Sequence, residues 1–282
     1  LKKGILIDLI RAAFDEDDVN NDITTAIFVD SDTSGSAEII AKREGVISGQ
    51  ECSESVFSFV DDSLIYSPGV EDGVRVQKGD IVAVVEGTVS SILSAERLAL
   101  NFLGHLSGVA TETASFSQKV RGSGIRILDT RKTTPGMRFV EKKAVRDGGG
   151  ENHRSNLSEM VLVKENHIAI AGGLANILDL LGEERLKKAE IEVGSLDELS
   201  LLLKNPPARI MLDNFTPDMV ERAVGEVEKC CGERPEIEVS GGISLDTIDD
   251  YLIPGVNYIS VGSITSSAPA LDLSLIIGET VV

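Results

Sequence analysis

Tryptophan is absent from these 282 residues, and histidine and cysteine occur only three times each. Cys52, Cys230 and Cys231 form an odd set without metal-ligand spacing. That excludes a disulfide framework and a cysteine-based zinc site, and it points to a reducing, cytoplasmic setting. No stretch approaches the roughly 20 uninterrupted apolar residues of a membrane-spanning helix. The opening LKKGILIDLIRAAFDEDD has an apolar run too short, and too interrupted by Asp8, for a secretory signal. Positive charge is scarce, with 27 Lys and Arg against 46 Asp and Glu and a formal net charge of -19. Nucleic acid and anionic membrane are therefore excluded as partners, because either would face like-charge repulsion. A length of 282 residues with 42% hydrophobic content leaves room for a barrel-sized domain and a smaller companion.

The early chain mixes a short helix with antiparallel strands. Apolar residues at positions 5, 6, 9, 10 and 13 have helical spacing, predicting a helix over 4–15. The acids Asp15 to Asp18 read as a solvated helix end. SAEIIAKREGVISGQE and YSPGVEDGVRVQKGDIVAVVEGTVSSIL carry alternating apolar positions and turn dipeptides such as Pro68-Gly69 and Asp72-Gly73, the pattern of short antiparallel strands. A helix is expected from Ser94, with Leu98, Phe102 and Leu106 on one face, and a second one over about 108–121.

After Gly124 six apolar runs recur, each ending in a polar residue: IRILDT, MVLVKEN, AEIEVG, ARIMLDN, EIEVSGG and YISVGSI. Helical segments lie between most of them. Ser195 with Glu198 reads as a capping box, Thr216 precedes Pro217 at a first helical position, and Ser244 opens LDTIDDYLI. Buried strands alternating with amphipathic helices mean a parallel sheet covered by helices, here an α/β barrel, closed or nearly so. Chemistry in such barrels sits at the carboxyl ends of the strands, which places Lys164, Glu192, Asp213, Ser240 and Gly262 at one mouth.

One stretch reverses the overall charge. Arg126 to Lys164 holds nine Lys or Arg against five acids, a local positive field that would focus phosphates or carboxylates, and it is expected to feed the same mouth. Arg131 and Lys132 stand between Thr130 and Thr133, supplying a bidentate fork and a point charge. A solvated basic loop is the competing reading. Gly148, Gly149 and Gly150 precede His153 and Arg154 and would let backbone approach a ligand closely. Lys164 closes an apolar run and needs a partner or a ligand. Glu192 and Asp213 end neighbouring strands, where they either serve chemistry or only neutralise Lys164. Ser240-Gly241-Gly242 and Gly262-Ser263 follow the last two strands, and their backbone N–H groups, with a helix opened by Ser244, suit a phosphate. His105 and His167 read as surface or strand-end residues.

The motifs, in their order, resemble the quinolinate phosphoribosyltransferase family. The likeness covers nearly the whole chain: NDITT at 21–25, AERLALNFLGHLSGVAT at 95–111, DTRKTTPGMR at 129–138, KKAVRDGGGENHR at 142–154, LVKENHI at 162–168, IEVGSLDEL at 191–199, MLDN at 211–214 and EVSGGI at 238–243. The resemblance implies an N-terminal α/β sandwich domain over residues 1–110, with the segment from about 266 to 282 packing back on it. It also implies a C-terminal α/β barrel of the type II phosphoribosyltransferases over residues 111–265, and a homodimer with shared active sites. The implied reaction moves phosphoribosyl from phosphoribosyl pyrophosphate to quinolinate with loss of CO2, giving nicotinate mononucleotide.

Carried over by position, Arg97 resembles the arginine that reaches into a neighbouring subunit's site. Arg131, His153, Arg154 and Lys164 resemble the pocket for the two carboxylates of quinolinate, with Lys132 near the diphosphate. Glu192 and Asp213 resemble acids that hold ribose hydroxyls and Mg2+, directly or through water. Ser240, Gly241, Gly242, Gly262 and Ser263 resemble the 5-phosphate cradle. Lys132, Lys164, Glu192 and Asp213 are the implied catalytic residues. The chain departs from the pattern at GSITSSAPALDLSL after the last strand and at Asn156, which leaves phosphate contacts there to the backbone. A nicotinate-using phosphoribosyltransferase, a molybdenum-transport-associated relative of the fold and a non-catalytic anion binder are the competing readings.

Overall fold

The computed structural model describes residues 2–229 and 234–281, so Cys230 and Cys231 lie outside the described residues. Along the chain run α1 (Lys2–Glu16), α2 (Ile23–Phe28), β1 (Ser34–Ala41), β2 (Gly45–Val46), α3 (Gln50–Val60), β3 (Ile65–Pro68), β4 (Arg75–Val76), β5 (Ile81–Thr88) and α4 (Val89–Lys119). These are followed by β6 (Arg126–Leu128), α5 (Arg138–Asp147), β7 (Leu162–Val163), α6 (Glu165–Ala171), α7 (Leu174–Leu186), β8 (Glu190–Val193), α8 (Leu196–Leu202) and β9 (Arg209–Asp213). The chain ends with α9 (Pro217–Glu228), β10 (Glu236–Ser240), β11 (Tyr258–Ser260), α10 (Ser263–Ser266) and β12 (Leu273–Val281). Two compact units result: residues 1–114, 133–149 and 264–282, and residues 115–132 and 150–263.

The first unit is built on an antiparallel sheet of order β12-β1-β5-β3, beside a two-stranded ribbon of β2 and β4. The alternation legible in SAEIIA is physical: Ala37, Ile39 and Ala41 are buried while Glu38 and Ile40 are not. The chain's last strand, β12, pairs with β1 along its length. Where two helices were expected, α4 is one helix of 31 residues. Its Gly104 and Gly108 look like interruptions in the sequence, yet they lie where the returning chain comes closest. The Leu271 N–H donates to the Gly104 carbonyl at 2.8 Å. A Cβ on Gly108 would meet the Pro269 carbonyl oxygen at 2.3 Å.

Helix α5 also belongs to this unit, and it takes four cations of the basic stretch with it. Lys143 pairs with Asp72 at 2.6 Å and with Asp147 at 2.7 Å. Glu141, fully buried, accepts from the Thr134 N–H and lies 2.8 Å from His105 Nε2. His105 is thus a partner of a buried acid rather than a plain surface residue.

All six apolar runs after Gly124 are strands, and they form one parallel sheet of order β6-β11-β10-β9-β8-β7. Period-2 alternation divides each strand. One face carries Ile127, Ile191, Val193, Ile210, Leu212, Ile237, Val239 and Ile259, all 2% exposed or less. At roughly 1.5–3 kcal/mol per fully buried aliphatic side chain, this face is the main adhesive of the unit. The other face carries Arg126, Glu190, Glu192, Arg209, Met211, Asp213, Glu236, Glu238, Ser240, Tyr258 and Ser260. The register aligns these in layers, pairing Glu190 with Arg209, Glu238 with Met211 and Tyr258, and Ser240 with Asp213 and Ser260. Layers of inward side chains are what fills a closed α/β barrel.

The helix starts hold with two adjustments. Ser195 accepts from the Glu198 N–H, but Glu198 returns the bond to the N–H of Gly194 rather than of Ser195. Thr216 caps α9 ahead of Pro217. Ser244, expected to open a helix, instead begins a turn that leads into a 3-10 segment at Ile248–Tyr251. The helix dipole expected after β10 is therefore missing from that corner.

Candidate active site

Residues within or just beyond all six strands line one cavity of about 400 Å³. Thr130, Arg131 and Lys132 come from beyond β6, Leu162 and Lys164 from β7, Glu192 from β8, Met211 and Asp213 from β9, Glu238 and Ser240 from β10 and Ser260 from β11, with His153 and Arg154 from the loop before β7. In a flat six-stranded sheet the outer strands would stand about 24 Å apart. A cavity this small touching both means that the sheet curls into a barrel. Its volume falls within the range of small-molecule sites.

Cations occupy one side. Arg131 and Lys132 leave β6 in a turn where the Lys132 N–H donates to Thr130 Oγ1 at 3.0 Å. The Lys132 side chain lies over Gly262, where a Cβ would come within 3.0 Å of its Cδ. Arg154 donates to the Met160 carbonyl. Burial, and then the neighbouring Arg131 guanidinium, lower its pKa against the pull of Glu190. Two guanidinia held close together are a receptor for a multiply charged anion.

Carboxylates occupy the other side. Lys164 Nζ meets Glu192 Oε2 at 2.6 Å. Lys164 is about half exposed rather than buried, so its charge is stabilised by water as well as by Glu192. Burial, and then the charge of Glu192, raise the Asp213 carboxyl above its ordinary range, with Lys164, Ser240 and Lys132 opposing. Glu192 and Asp213 both line the cavity, and their carboxylates are oxygen donors of the kind Mg2+ takes.

Beyond β10, Gly241 and Gly242 have positive φ of 106° and 62°. At Gly241 a side chain would also strike Asn214 Oδ1 at 2.3 Å. Gly262 and Ser263 follow β11, where α10 is only four residues long. Any phosphate cradle here therefore depends on loop N–H groups, not on a long helix dipole.

Three further sets of residues were singled out in the sequence. Arg97 is exposed on α4, in the first unit. Of the basic stretch, Arg131, Lys132, Arg154 and Lys164 line the cavity, and Arg138, Lys142, Lys143 and Arg146 stand on α5 in the first unit. His167 accepts the Lys164 N–H at 3.0 Å as a helix-start partner.

The sequence reading missed the charged floor. Asp129 is fully buried and accepts from the His153 N–H at 2.8 Å and from Asn152 at 2.7 Å. His153 Nε2 lies 2.9 Å from Glu190 and 3.7 Å from Glu238, both acids being fully buried. Arg209 bonds Glu238 at 3.2 Å and Glu236 at 3.0 Å while its guanidinium stacks on the Tyr258 ring at 3.9 Å. Burial works against that charge, but the Glu236 bond and the charges of Glu190 and Glu238 hold the Arg209 pKa above its ordinary value. Burial, and then the Glu190 charge, push the Glu238 carboxyl up to about 7, with His153, Ser260 and Arg209 opposing. The signal was present: Glu190 and Glu238 stand on the inward alternation of EIEV and EIEVS.

Two family models match the chain, the quinolinate phosphoribosyl transferase N-terminal domain over residues 22–107 and its C-terminal domain over residues 109–276. A probable nicotinate-nucleotide pyrophosphorylase [carboxylating] of Methanothermobacter thermautotrophicus is 39% identical over 279 residues, covering 96% of this chain and 98% of that protein. A quinolinate phosphoribosyltransferase [decarboxylating] 1b of Nicotiana tabacum is 37% identical, covering 95% of this chain and 81% of that one. The solved structure of nicotinate-nucleotide pyrophosphorylase from Francisella tularensis superposes with a TM-score of 0.87 at 35% identity, covering 98% of this chain and 96% of that one.

Proposed function

The chain belongs to the quinolinate phosphoribosyltransferase family, and from that premise we propose that the barrel cavity is where its reaction takes place. That reaction transfers phosphoribosyl from phosphoribosyl pyrophosphate to quinolinate, with decarboxylation, to give nicotinate mononucleotide, diphosphate and CO2. The observation that carries the site is the meeting of Arg131, Lys132, Arg154 and Lys164 with Glu192 and Asp213 around one cavity.

Arg131, Arg154 and Lys164 take the two carboxylates of quinolinate, with His153 forming the pocket's inner wall. Lys132 draws the diphosphate, and Ser240, Gly241, Gly242, Gly262 and Ser263 receive the 5-phosphate. The pyridine nitrogen attacks C1 of the ribose as diphosphate departs, through a ribosyl-cation-like state. Glu192 and Asp213 are set to stabilise that positive charge. Departure of CO2 from the 2-carboxylate leaves an electron pair next to a pyridinium nitrogen, so the ring is its own electron sink. What the protein supplies is orientation and charge complementarity, which needs no general base. Glu192 and Asp213 would also hold Mg2+, directly or through water, and the bound ion supplies charge neutralisation for the diphosphate.

A homodimer completes the reading. Arg97, exposed on α4, serves the partner subunit's site. The scarcity of cysteine supports a cytoplasmic enzyme, and among the described residues no helix is long and apolar enough to cross a membrane.

Calorimetric titration tests the site. Quinolinate binds the wild type more tightly than nicotinate, and Arg154→Ala removes most of that preference. Equal affinity for both acids in the wild type would defeat the proposed pocket.

A further inference from the structure

The barrel floor holds a charged cluster of His153, Glu190, Glu238 and Arg209, the last three of which have no role in the proposed reaction. From it we infer that Glu190 is a positioning residue, which fixes the His153 ring with its one proton directed into the barrel, so that His153 holds Arg154 in place rather than donating to the substrate. The inference rests on the reading of the cavity as the quinolinate site.

The two ring nitrogens have different neighbours. His153 Nδ1 accepts the Arg154 N–H at 2.7 Å, so it carries a lone pair and not a proton. Nε2 faces Glu190 Oε2 at 2.9 Å and Glu238 Oε2 at 3.7 Å. A second lone pair could not stand against two carboxylates, so the proton is on Nε2. The contact to Glu190 is short but lies off the line that a ring N–H prefers. The attraction is therefore chiefly electrostatic, in a place where burial strengthens it.

The His153 side chain is only 6% exposed, and its backbone N–H is taken by Asp129. Both ends of the residue are thus tied to the floor, and the bond from Arg154 N–H to Nδ1 passes that fixity to the next residue. The ligating atoms of His153, Glu190 and Glu238 lie within 4.8 Å of one another, a spacing that a metal ion could bridge. Arg209 already brings positive charge there, with Nη1 3.2 Å from Glu238 Oε2 and 4.0 Å from Glu190 Oε2. A guanidinium with these acids leaves no call for a metal. The carboxylates of the substrate then fall to Arg131, Arg154 and Lys164, and His153 contributes a wall of fixed orientation.

Nitrogen NMR of 15N-histidine-labelled full-length protein, ligand-free near neutral pH, reads the ring directly, since only three histidines contribute. His153 is expected as the neutral Nε2–H form in the wild type. Glu190→Gln retains that form, because its amide oxygen still presents a negative end to Nε2–H, whereas Glu190→Leu loses it. In kinetics Glu190→Leu raises the KM for quinolinate by about 10- to 100-fold, the usual cost of removing a group that orients a ligand's partner. The KM for phosphoribosyl pyrophosphate stays near wild type, and Glu190→Gln restores most of the loss. The wild-type spectrum decides the ring assignment whether or not the leucine variant folds. An active wild type whose His153 carries its proton on Nδ1, or on both nitrogens, overturns the inference, as does a folded Glu190→Leu protein with an unchanged quinolinate KM. A wild type that does not turn over quinolinate overturns the underlying reading instead.

Discussion

Replacing Glu238 by glutamine should change how stability depends on pH, in a direction that the structure fixes. Burial and the adjacent Glu190 charge push the Glu238 carboxyl up to about 7 from an ordinary 4.5. The folded chain therefore holds this proton more tightly than the unfolded chain. Its stabilising effect is complete below about pH 4.5 and is lost as pH rises through 7. At about 1.4 kcal/mol per pKa unit, the full swing is on the order of 3 kcal/mol. Roughly 2 kcal/mol of that is expressed between pH 5.5 and 8, a window that stays above the sequence pI of 4.6. Glutamine keeps the shape of the protonated acid and has no proton to lose. Urea denaturation of wild type and Glu238→Gln across this window, at fixed ionic strength, reads the effect of this cluster, because titrating groups remote from Glu238 cancel in the difference. The variant should gain on the wild type by about 2 kcal/mol as pH rises. Parallel curves would refute the account of the floor as a crowded pair of acids.

Lys164→Ala should cost activity by more than tenfold, since it removes a cation facing the cavity and leaves Glu192 and Asp213 without their shared countercharge; steady-state kinetics measures it. Arg97→Ala mixed with Asp213→Asn should recover part of the lost activity through hybrid dimers carrying one intact site, and no recovery with subunit exchange verified would count against a shared site. Gly108→Ala should destabilise the first unit by roughly 1–3 kcal/mol, the cost of overpacking, because the added carbon meets the Pro269 carbonyl; thermal unfolding reads it. Removal of divalent metal with a chelator should abolish turnover and Mg2+ restore it, to a lesser degree in Asp213→Asn.

The second unit was the more legible half. Six apolar runs, each closed by a polar residue, could be read as strands because a parallel sheet buries one whole face and so forbids polar residues there. Lys164, Glu192, Asp213 and Ser240 followed from that, since strand ends of a barrel share one mouth. The alternation in SAEIIA carried through to β1 for a similar reason. Less legible were effects of tertiary packing. Gly104 and Gly108 look like helix breaks until the chain at 269–271 is laid against them. Lys143 looks like a pocket cation until it is seen paired with Asp72 and Asp147. Ser244 looked like a helix cap, but the segment after it closes as a 3-10 turn. The buried floor was visible only as isolated glutamates in apolar strands, whose partners Arg209 and His153 come from other elements.

The most direct measurement is CO2 release. Purified protein with Mg2+ and phosphoribosyl pyrophosphate is given quinolinate or nicotinate, and CO2 and mononucleotide are followed together. The account predicts equimolar CO2 and mononucleotide from quinolinate, and no product from nicotinate. Mononucleotide from nicotinate alone, or no product at all from folded protein, would contradict it.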